Sequence, residues 1–169
     1  WGNVNKALQT LFLNRIDSPE KFIQAPEEEI KRMIKPSGYY NQKYLKLKKL
    51  FVFFLENDYL GKNSELLSRE KLLEQWGIGE ETSDSILLYG YNRPLFVVDA
   101  YTKRLLFRIS GKKFCDYKSC QQYFQKNILK DLKVYNEYHA LIVKHSVEVC
   151  RKKPLCGSCF LSEKCNKYL

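Results

Sequence analysis

Residues 76–110 read WGIGEETSDSILLYGYNRPLFVVDAYTKRLLFRIS. Two short helical segments meet at Gly77-Ile78-Gly79, where the glycines permit a tight turn with positive φ and leave backbone N–H groups uncovered. Since the second segment begins there, its unpaired N–H groups and dipole favour an anion such as a phosphate oxygen. An apolar run then ends at Asp99, a residue type that caps helices, and a basic helix follows. The pattern predicts a phosphate-binding helical hairpin, while an ordinary helix–helix turn would have the same glycines.

The end of the chain contains four cysteines in the string CRKKPLCGSCFLSEKC. They are Cys150, Cys156, Cys159 and Cys165. Thiolates this close in sequence converge on one inorganic centre with little loop-closure cost. The pattern favours a metal site over disulfides, because nothing in the chain resembles a secreted protein. Four thiolates with a CxxC core also suit tetrahedral zinc, so the spacing leaves the metal open.

Helical periodicity of apolar residues runs through most of the chain. The first two predicted core faces comprise Val4, Ala7, Leu8, Leu11 and Phe12, and then Tyr44, Leu47, Leu50, Phe51 and Phe54. Turn-type residues separate the helical segments, as in IDSPEKF and KPSGYYN. No alternating run is long enough for a sheet, and no run of eighteen apolar residues predicts a membrane span. We therefore expect an all-α fold.

Positive charge is concentrated in the second part of the chain. Residues 1–99 carry fourteen basic and fourteen acidic side chains, whereas residues 100–169 carry fifteen and five. The net charge of +10 therefore lies in the last part of the chain. A one-sided basic surface fits a polyanion, and nucleic acid is the commonest such partner. A solvated basic face is the alternative.

In combination, these motifs resemble the helix-hairpin-helix (HhH-GPD) DNA glycosylase superfamily, and specifically endonuclease III and its iron–sulfur relatives. GYYNQKYLKLKKL is similar to the helix that leads to the hairpin, WGIGEETSD to the hairpin, and VVDAYTKRL to the segment with the catalytic aspartate, here Asp99. The resemblance implies two helical lobes with a damaged base flipped between them. The first lobe would be residues 1–110, with the hairpin at about 68–90. The second would be residues 111–169, with an iron–sulfur loop at 150–165.

The resemblance also implies a 4Fe-4S cluster as the cofactor of the cysteine ladder. This chain has one residue fewer between Cys150 and Cys156 than the usual family spacing. A loop of five residues still spans two ligand sites, so the resemblance favours the cluster, with zinc as the alternative. Arg151, Lys152 and Lys153 would then meet the DNA backbone in a loop that the cluster fixes.

One departure from the family pattern bears on the reaction. Bifunctional members have a lysine in the hairpin where this chain has Glu81. A carboxylate cannot form the Schiff base of a lyase step. The resemblance therefore implies a monofunctional DNA N-glycosylase of base excision repair, in which Asp99 orients or activates water and stabilises positive charge on the deoxyribose. Alternatives are a lyase that uses another amine and a non-catalytic lesion-binding module. Loss of the lysine favours alkylated or mismatched bases.

The expected partner is double-stranded DNA with a damaged base, bound by a monomer. Candidate DNA-binding residues are Gly77, Ile78, Gly79, Glu80, Thr82, Lys103, Arg151, Lys152 and Lys153. Candidate base-pocket residues are Tyr39, Tyr40, Glu137 and His139. The tyrosines would stack on the extruded base, with packing in the core as the alternative. A packed or capping group is the alternative for His139.

The beginning of the chain carries two further expectations. The start at Trp1 shows no signal peptide, which favours a cytoplasmic, nucleoid-associated protein. Endonuclease III relatives have an earlier helix and a glutamine-containing segment before this point. We therefore expect the sequence to be truncated at its N-terminus.

Overall fold

The computed structural model describes residues 2–166, and no strand occurs among them. The predicted all-α class is confirmed. The chain divides into two compact units, residues 1–78 and residues 79–169. The lobe boundary expected at residue 110 falls at the end of a helix of the second unit and stays a prediction.

The first unit contains five α-helices within the described residues. They are α1 (Gly2–Leu13), α2 (Pro19–Gln24), α3 (Glu27–Ile34), α4 (Tyr40–Glu56) and α5 (Arg69–Leu73), with 3₁₀ turns at Lys35–Ser37 and Ser64–Leu66. The interpretation of IDSPEKF as a connection was wrong, because α2 begins inside it. Ser18 accepts a hydrogen bond from the backbone N–H of Lys21, and Pro19 occupies the first helical position, where its missing N–H costs nothing.

Phe22 anchors the core of the first unit. Its ring stacks on Tyr44 at 5.9 Å and meets Phe51 edge-on at 5.0 Å. Ile30 and Ile34 of α3 complete this cluster. The predicted face on α4 is confirmed, since Tyr44, Leu50 and Phe54 are buried. The predicted face on α1 is confirmed only in part: Ala7 is buried and Leu11 packs against this core, but Val4, Leu8 and Phe12 are exposed.

The second unit contains four α-helices within the described residues. They are α6 (Glu80–Ser85), α7 (Ala100–Ser110), α8 (Tyr117–Asn127) and α9 (Leu132–Glu148). A π-helical turn, Ile86–Gly90, continues α6, and a 3₁₀ turn lies at Cys156–Ser158. Phe96 lies at the centre of the core, stacked on Phe124 at 4.4 Å and edge-on to Tyr135 at 5.5 Å. The helices therefore pack around the buried apolar run that precedes α7.

No helix in the described part of the chain is both long enough and apolar enough to cross a membrane.

Candidate active site and cysteine cavity

The aspartate segment has the local structure that its sequence predicts. Val97 and Val98 are buried in a run without regular secondary structure, which ends at Asp99. The Asp99 backbone is extended, and its Oδ1 accepts a hydrogen bond of 2.7 Å from the backbone N–H of Thr102. Asp99 is thus the N-cap of α7. Such a cap holds one carboxylate oxygen in a defined orientation.

Two side chains of α8 hold the run that leads to this aspartate. The Tyr117 hydroxyl accepts a hydrogen bond of 3.2 Å from the backbone N–H of Val98. The Gln121 amide donates to the carbonyl of Phe96 and to Oδ2 of the buried Asp84, at 2.7 Å in each case. Nothing in the sequence indicates these supports, because a lone Tyr or Gln on a helix carries no signal for a distant partner.

The second oxygen of Asp99 faces a histidine. Asp99 Oδ2 lies 3.6 Å from His139 Nε2, and each of the two side chains is 12% exposed. His139 Nδ1 lies 2.5 Å from the hydroxyl of Tyr89, in the π-helical turn. Burial acts to raise the pKa of Asp99, but the contacts with His139 and Thr102 outweigh it and lower that pKa overall. The structure therefore brings together two predicted site residues, Asp99 and His139, and adds Tyr89.

A second carboxylate, Glu81, lies within electrostatic range of the first. Partial burial and the negative charge of Asp99 raise the pKa of Glu81, while the charges of His139 and Lys103 act in the opposite direction. Glu81, at the hairpin position where the family pattern has a lysine, therefore adds a second carboxylate to the electrostatic environment of Asp99. Glu81 lies on α6 and Lys103 on α7, one helical turn after Asp99.

The first glycine of the hairpin has the expected left-handed backbone. Gly77 has φ +83°, and a Cβ there would lie 2.7 Å from Cε of Lys46. The hydrocarbon chain of Lys46 therefore crosses the glycine at close range. The Lys49 ammonium lies 4.6 Å from the ring centroid of Trp76, the residue before it. Neither lysine was a candidate, because nothing in the periodicity of α4 relates it to the hairpin.

The other predicted DNA-binding residues are spread over several surfaces. Gly79 is extended, with φ −102° and ψ 179°, and Ile78 is partly buried. Glu80 and Thr82 lie in the first turn of α6, and Thr82 is exposed. Exposed side chains also include Lys103, Arg151, Lys152 and Lys153.

The predicted pocket residues divide into exposed and packed groups. Tyr39 is 85% exposed and has a left-handed backbone, φ 47°, immediately before α4. Tyr40 packs against the core of the first unit, which is the alternative that sequence analysis left open. Glu137 is exposed on α9. Of the two α9 candidates, only His139 has a described contact with Asp99.

The four cysteines of the ladder line one cavity of the second unit. Its walls also include Arg108, His145, Leu155 and Leu161. Cys150 is buried, and Cys156, Cys159 and Cys165 are partly buried. Within residues 2–166, no three or more His, Cys, Asp or Glu side chains are arranged to hold a metal ion. The donor set has the thiols that an iron–sulfur cluster requires, gathered around a common space.

Two arginines of α7 bind the backbone of the cysteine loop. The Arg108 guanidinium donates to the carbonyls of Arg151 and Lys152, at 2.5 and 3.0 Å, and to the carbonyl and sulfur of Cys150, at 3.3 and 3.4 Å. Arg104 donates to the carbonyls of Ser146 and Cys150. The helix that begins at Asp99 is therefore tied, near its other end, to the loop that carries the basic residues.

An all-helical fold with a glycine hairpin, a capping aspartate and a cysteine ladder defines a DNA glycosylase of the helix-hairpin-helix type. Residues 1–130 match the HhH-GPD superfamily of base excision DNA repair proteins, and this chain belongs to that superfamily. It is a DNA N-glycosylase of base excision repair, and DNA is its binding partner. The family resemblance predicted from the motifs is confirmed.

Individual relatives agree with this assignment. The chain is 41% identical to a protein of Methanocaldococcus jannaschii named as a candidate DNA repair glycosylase, over 98% of this chain and 78% of the relative. It is 28% identical to endonuclease III of Thermotoga maritima, over 98% of this chain and 76% of that relative.

Solved structures have the same fold. A 3-methyladenine DNA glycosylase of H. pylori, bound to 1,N6-ethenoadenine, matches with a TM-score of 0.78 and 28% identity over 87% of this chain and 78% of that one. An endonuclease III–DNA covalent intermediate matches in fold with a TM-score of 0.82 and 24% identity, over 98% of this chain and 76% of that one.

Proposed function

We propose that this glycosylase is monofunctional, removes alkylated purines and uses Asp99 as its catalytic residue. The observation that carries the proposal is the environment of Asp99: a nearly buried carboxylate with Thr102 N–H on one oxygen and His139 facing the other. Its lowered pKa keeps it ionised and makes it a weak base. Stabilisation of the positive charge that develops on the deoxyribose is therefore its main role, and the low dielectric around it strengthens that effect.

Glu81 supports the monofunctional assignment. A lyase needs an amine that attacks the sugar carbon, and a carboxylate cannot supply one. Lys103 is the amine to test for the alternative, because its charge reaches Glu81 and it follows Asp99 by one helical turn. A phosphate contact is the role that we assign to Lys103.

The substrate class follows from charge and from one relative. Alkylation of a purine ring nitrogen places positive charge on the base and weakens its bond to the sugar. Two carboxylates near the reacting bond, Asp99 and Glu81, favour such a base over a neutral one. The similarity to the H. pylori 3-methyladenine glycosylase supports the same class. Tyr39 and, independently, Glu137 are proposed contacts to the base, because both side chains are exposed, and the exposure of Tyr39 suits stacking.

We propose that the hairpin and the basic loop each contact DNA, in a monomer. The proposed contacts are Gly77, Ile78, Gly79, Glu80, Thr82, Lys103, Arg151, Lys152 and Lys153. The three loop side chains are exposed, and Arg108 donates to the backbone carbonyls of Arg151 and Lys152, so the loop presents its charge from a fixed backbone.

A 4Fe-4S cluster is the proposed cofactor, held by Cys150, Cys156, Cys159 and Cys165. The convergence of these four residues on one cavity supports it. A tetrahedral zinc ion would need every sulfur about 2.3 Å from one centre. Zinc on the same four thiols is the alternative. When bound, the cluster would fix the fold of the basic loop.

The test is base release from duplexes that carry alkylated purines, oxidised pyrimidines or mismatched bases, with and without alkali. We expect release of alkylated purines, strand breaks only after alkali, and loss of release in Asp99→Asn. Strand breaks without alkali, together with borohydride trapping that disappears in Lys103→Ala, would establish the bifunctional alternative. Tight lesion binding without any release would indicate a non-catalytic module.

The cofactor has a separate test. Iron and sulfide analysis of anaerobically purified protein should give about four iron atoms per chain, and Cys159→Ser should lower that content. Cys120→Ser is the matched control, because Cys120 is buried in the core of the second unit and does not line the cysteine cavity. One zinc per chain without sulfide would contradict the cluster.

A further inference from the structure

Three side chains of the second unit, Tyr89, His139 and Asp99, lie in a line from the π-helical turn through α9 to the start of α7. Tyr89 OH lies 2.5 Å from His139 Nδ1, and His139 Nε2 lies 3.6 Å from Asp99 Oδ2. We infer that Tyr89 and His139 are positioning residues that hold the Asp99 carboxylate in its reactive orientation. This inference rests on the proposed role of Asp99.

The hydrogen-bonding roles along the line follow from the ionised aspartate. An ionised carboxylate only accepts, so the group that faces Oδ2 must be an N–H. His139 therefore carries a proton on Nε2. Its Nδ1 then accepts from the Tyr89 hydroxyl when the ring is neutral and donates to the same oxygen when the ring is charged. In both states Tyr89 fixes the ring and directs Nε2–H at Asp99.

The gap between the ring and the carboxylate distinguishes this line from ordinary packing. His139 Nε2 is buried and has no partner within hydrogen-bond distance in the described part of the chain. Thr102 Oγ1, one helical turn after Asp99 at the start of α7, is also buried without a hydrogen-bond partner in the described residues. Buried polar atoms normally have hydrogen-bond partners. Two buried atoms without a partner beside the same carboxylate indicate a place where the side chains approach each other or bind a ligand. Catalytic hydrogen bonds often tighten only when substrate is bound.

The line also fixes the carboxylate in a way that the helix cap cannot. Thr102 N–H holds Oδ1, but a single hydrogen bond leaves rotation about the Cβ–Cγ bond. His139 Nε2–H faces Oδ2 across 3.6 Å, and a hydrogen bond formed there when the two groups approach would remove that freedom. Tyr89 lies in the π-helical turn after α6, and such turns are frequent at functional sites. The reactive carboxylate is thus held from three elements: α7, α9 and the π-helical turn.

The test is a double-mutant cycle that measures single-turnover base release and the Kd for the same duplex. The probe is the alkylated duplex that the wild-type enzyme turns over in the lesion panel. His139→Ala should lower the release rate about 100-fold with an unchanged Kd, because the loss of positioning acts on the chemical step. Tyr89→Phe should lower it about 10-fold in the wild type and have no further effect in His139→Ala.

Two further variants separate positioning from structure. His139→Gln places an amide N–H where Nε2 was, so it should recover a large part of the rate that His139→Ala loses. Tyr138→Phe is the matched control, because Tyr138 neighbours His139 on α9 but its ring contacts Phe96 and Phe124, and its rate should equal that of the wild type. Tyr89 is half exposed, so Tyr89→Phe keeps the fold.

The opposite results have distinct meanings. Rates in His139→Ala and Tyr89→Phe within about twofold of wild type, with Asp99→Asn inactive, would overturn this inference alone. Additive losses, or losses matched by a weaker Kd, would also overturn it. Full activity of Asp99→Asn, or no release from any lesion by the wild type, would overturn the proposed function and the positioning role with it.

Discussion

Helix α7 has a nearly buried charged side chain at each end, and the two differ in how many hydrogen bonds they make. Arg108 is 8% exposed and donates to three carbonyls and one sulfur of the cysteine loop. The Asp99 side chain is 12% exposed, and it accepts one short hydrogen bond and faces a histidine across 3.6 Å. A charge with a full set of partners is a structural tie. A charge with an incomplete set can still interact with substrate, so one helix both anchors the loop and presents the reactive group.

The largest expected effect is on catalysis at Asp99. Asp99→Asn should lower single-turnover base release by about 10³-fold, because it removes the negative charge that stabilises the transition state. Asn keeps a capping oxygen but not the charge, so Asp99→Asn should lower the free energy of unfolding by less than Asp99→Ala, which should lose about 1 kcal/mol. Urea unfolding of both variants checks this. Equal rates of base release by Asp99→Asn and wild type would mean that Asp99 acts only as the N-cap of α7.

The second effect concerns stability at the other end of the helix. Arg108→Met should lower the free energy of unfolding by about 3 kcal/mol, because it leaves several loop carbonyls without donors. Lys103→Met, on the same helix but exposed, should change it by less than about 0.5 kcal/mol. Urea denaturation of the three proteins gives both values. Equal stabilities of Arg108→Met and Lys103→Met would contradict the structural role of this arginine.

The third effect tests the support beneath Asp99. Gln121→Leu should cost about 2 kcal/mol of stability, because the Phe96 carbonyl and the Asp84 carboxylate lose a donor in the core. It should also slow base release, because the run that leads to Asp99 loosens. Gln122→Leu, at the exposed neighbouring position, is the matched control. A rate unchanged in Gln121→Leu would mean that α8 does not position the aspartate.

A smaller effect is the pH dependence of the stability that Asp99 contributes. Its pKa is lowered in the folded state, so the contribution is present above the ordinary Asp value of about 3.9 and is lost as pH falls through the lower, folded-state pKa. The difference in unfolding free energy between wild type and Asp99→Asn should therefore shrink in acid. Denaturation at a series of pH values measures it. A difference that grows in acid would reverse the sign of the assigned shift.

The smallest expected effect is on the neighbouring carboxylate. Burial first, and then the charge of Asp99, raises the pKa of Glu81. Asp99→Asn should lower that pKa part of the way toward its ordinary value, with the contribution from burial retained. Carbon-13 NMR titration of the Glu81 carboxyl in both proteins measures the change. An unchanged pKa would place the two carboxylates in separate environments.

The predictions that succeeded rest on local patterns. The periodicity of α4 identified a buried face, and the order of apolar run, aspartate and basic helix identified the cap of α7. The same approach was only partly right for α1, where Ala7 is buried but Leu8 and Phe12 are exposed. It also missed α2, because turn-type residues and helix-capping residues are the same types. Periodicity shows that a helix has an apolar face but not whether anything covers it.

The sequence by itself determined the all-α class, the positive φ at Gly77, the capping aspartate and the four thiols of the cysteine ladder. Each of these depends on residues close together in the chain, where backbone geometry leaves few choices. Only the tertiary structure decided that Tyr89 and His139, fifty positions apart, meet beside Asp99, and that Arg108 binds the loop after Cys150. Such contacts depend on how helices pack, and many side chains of the same type satisfy the pattern equally well until packing selects one.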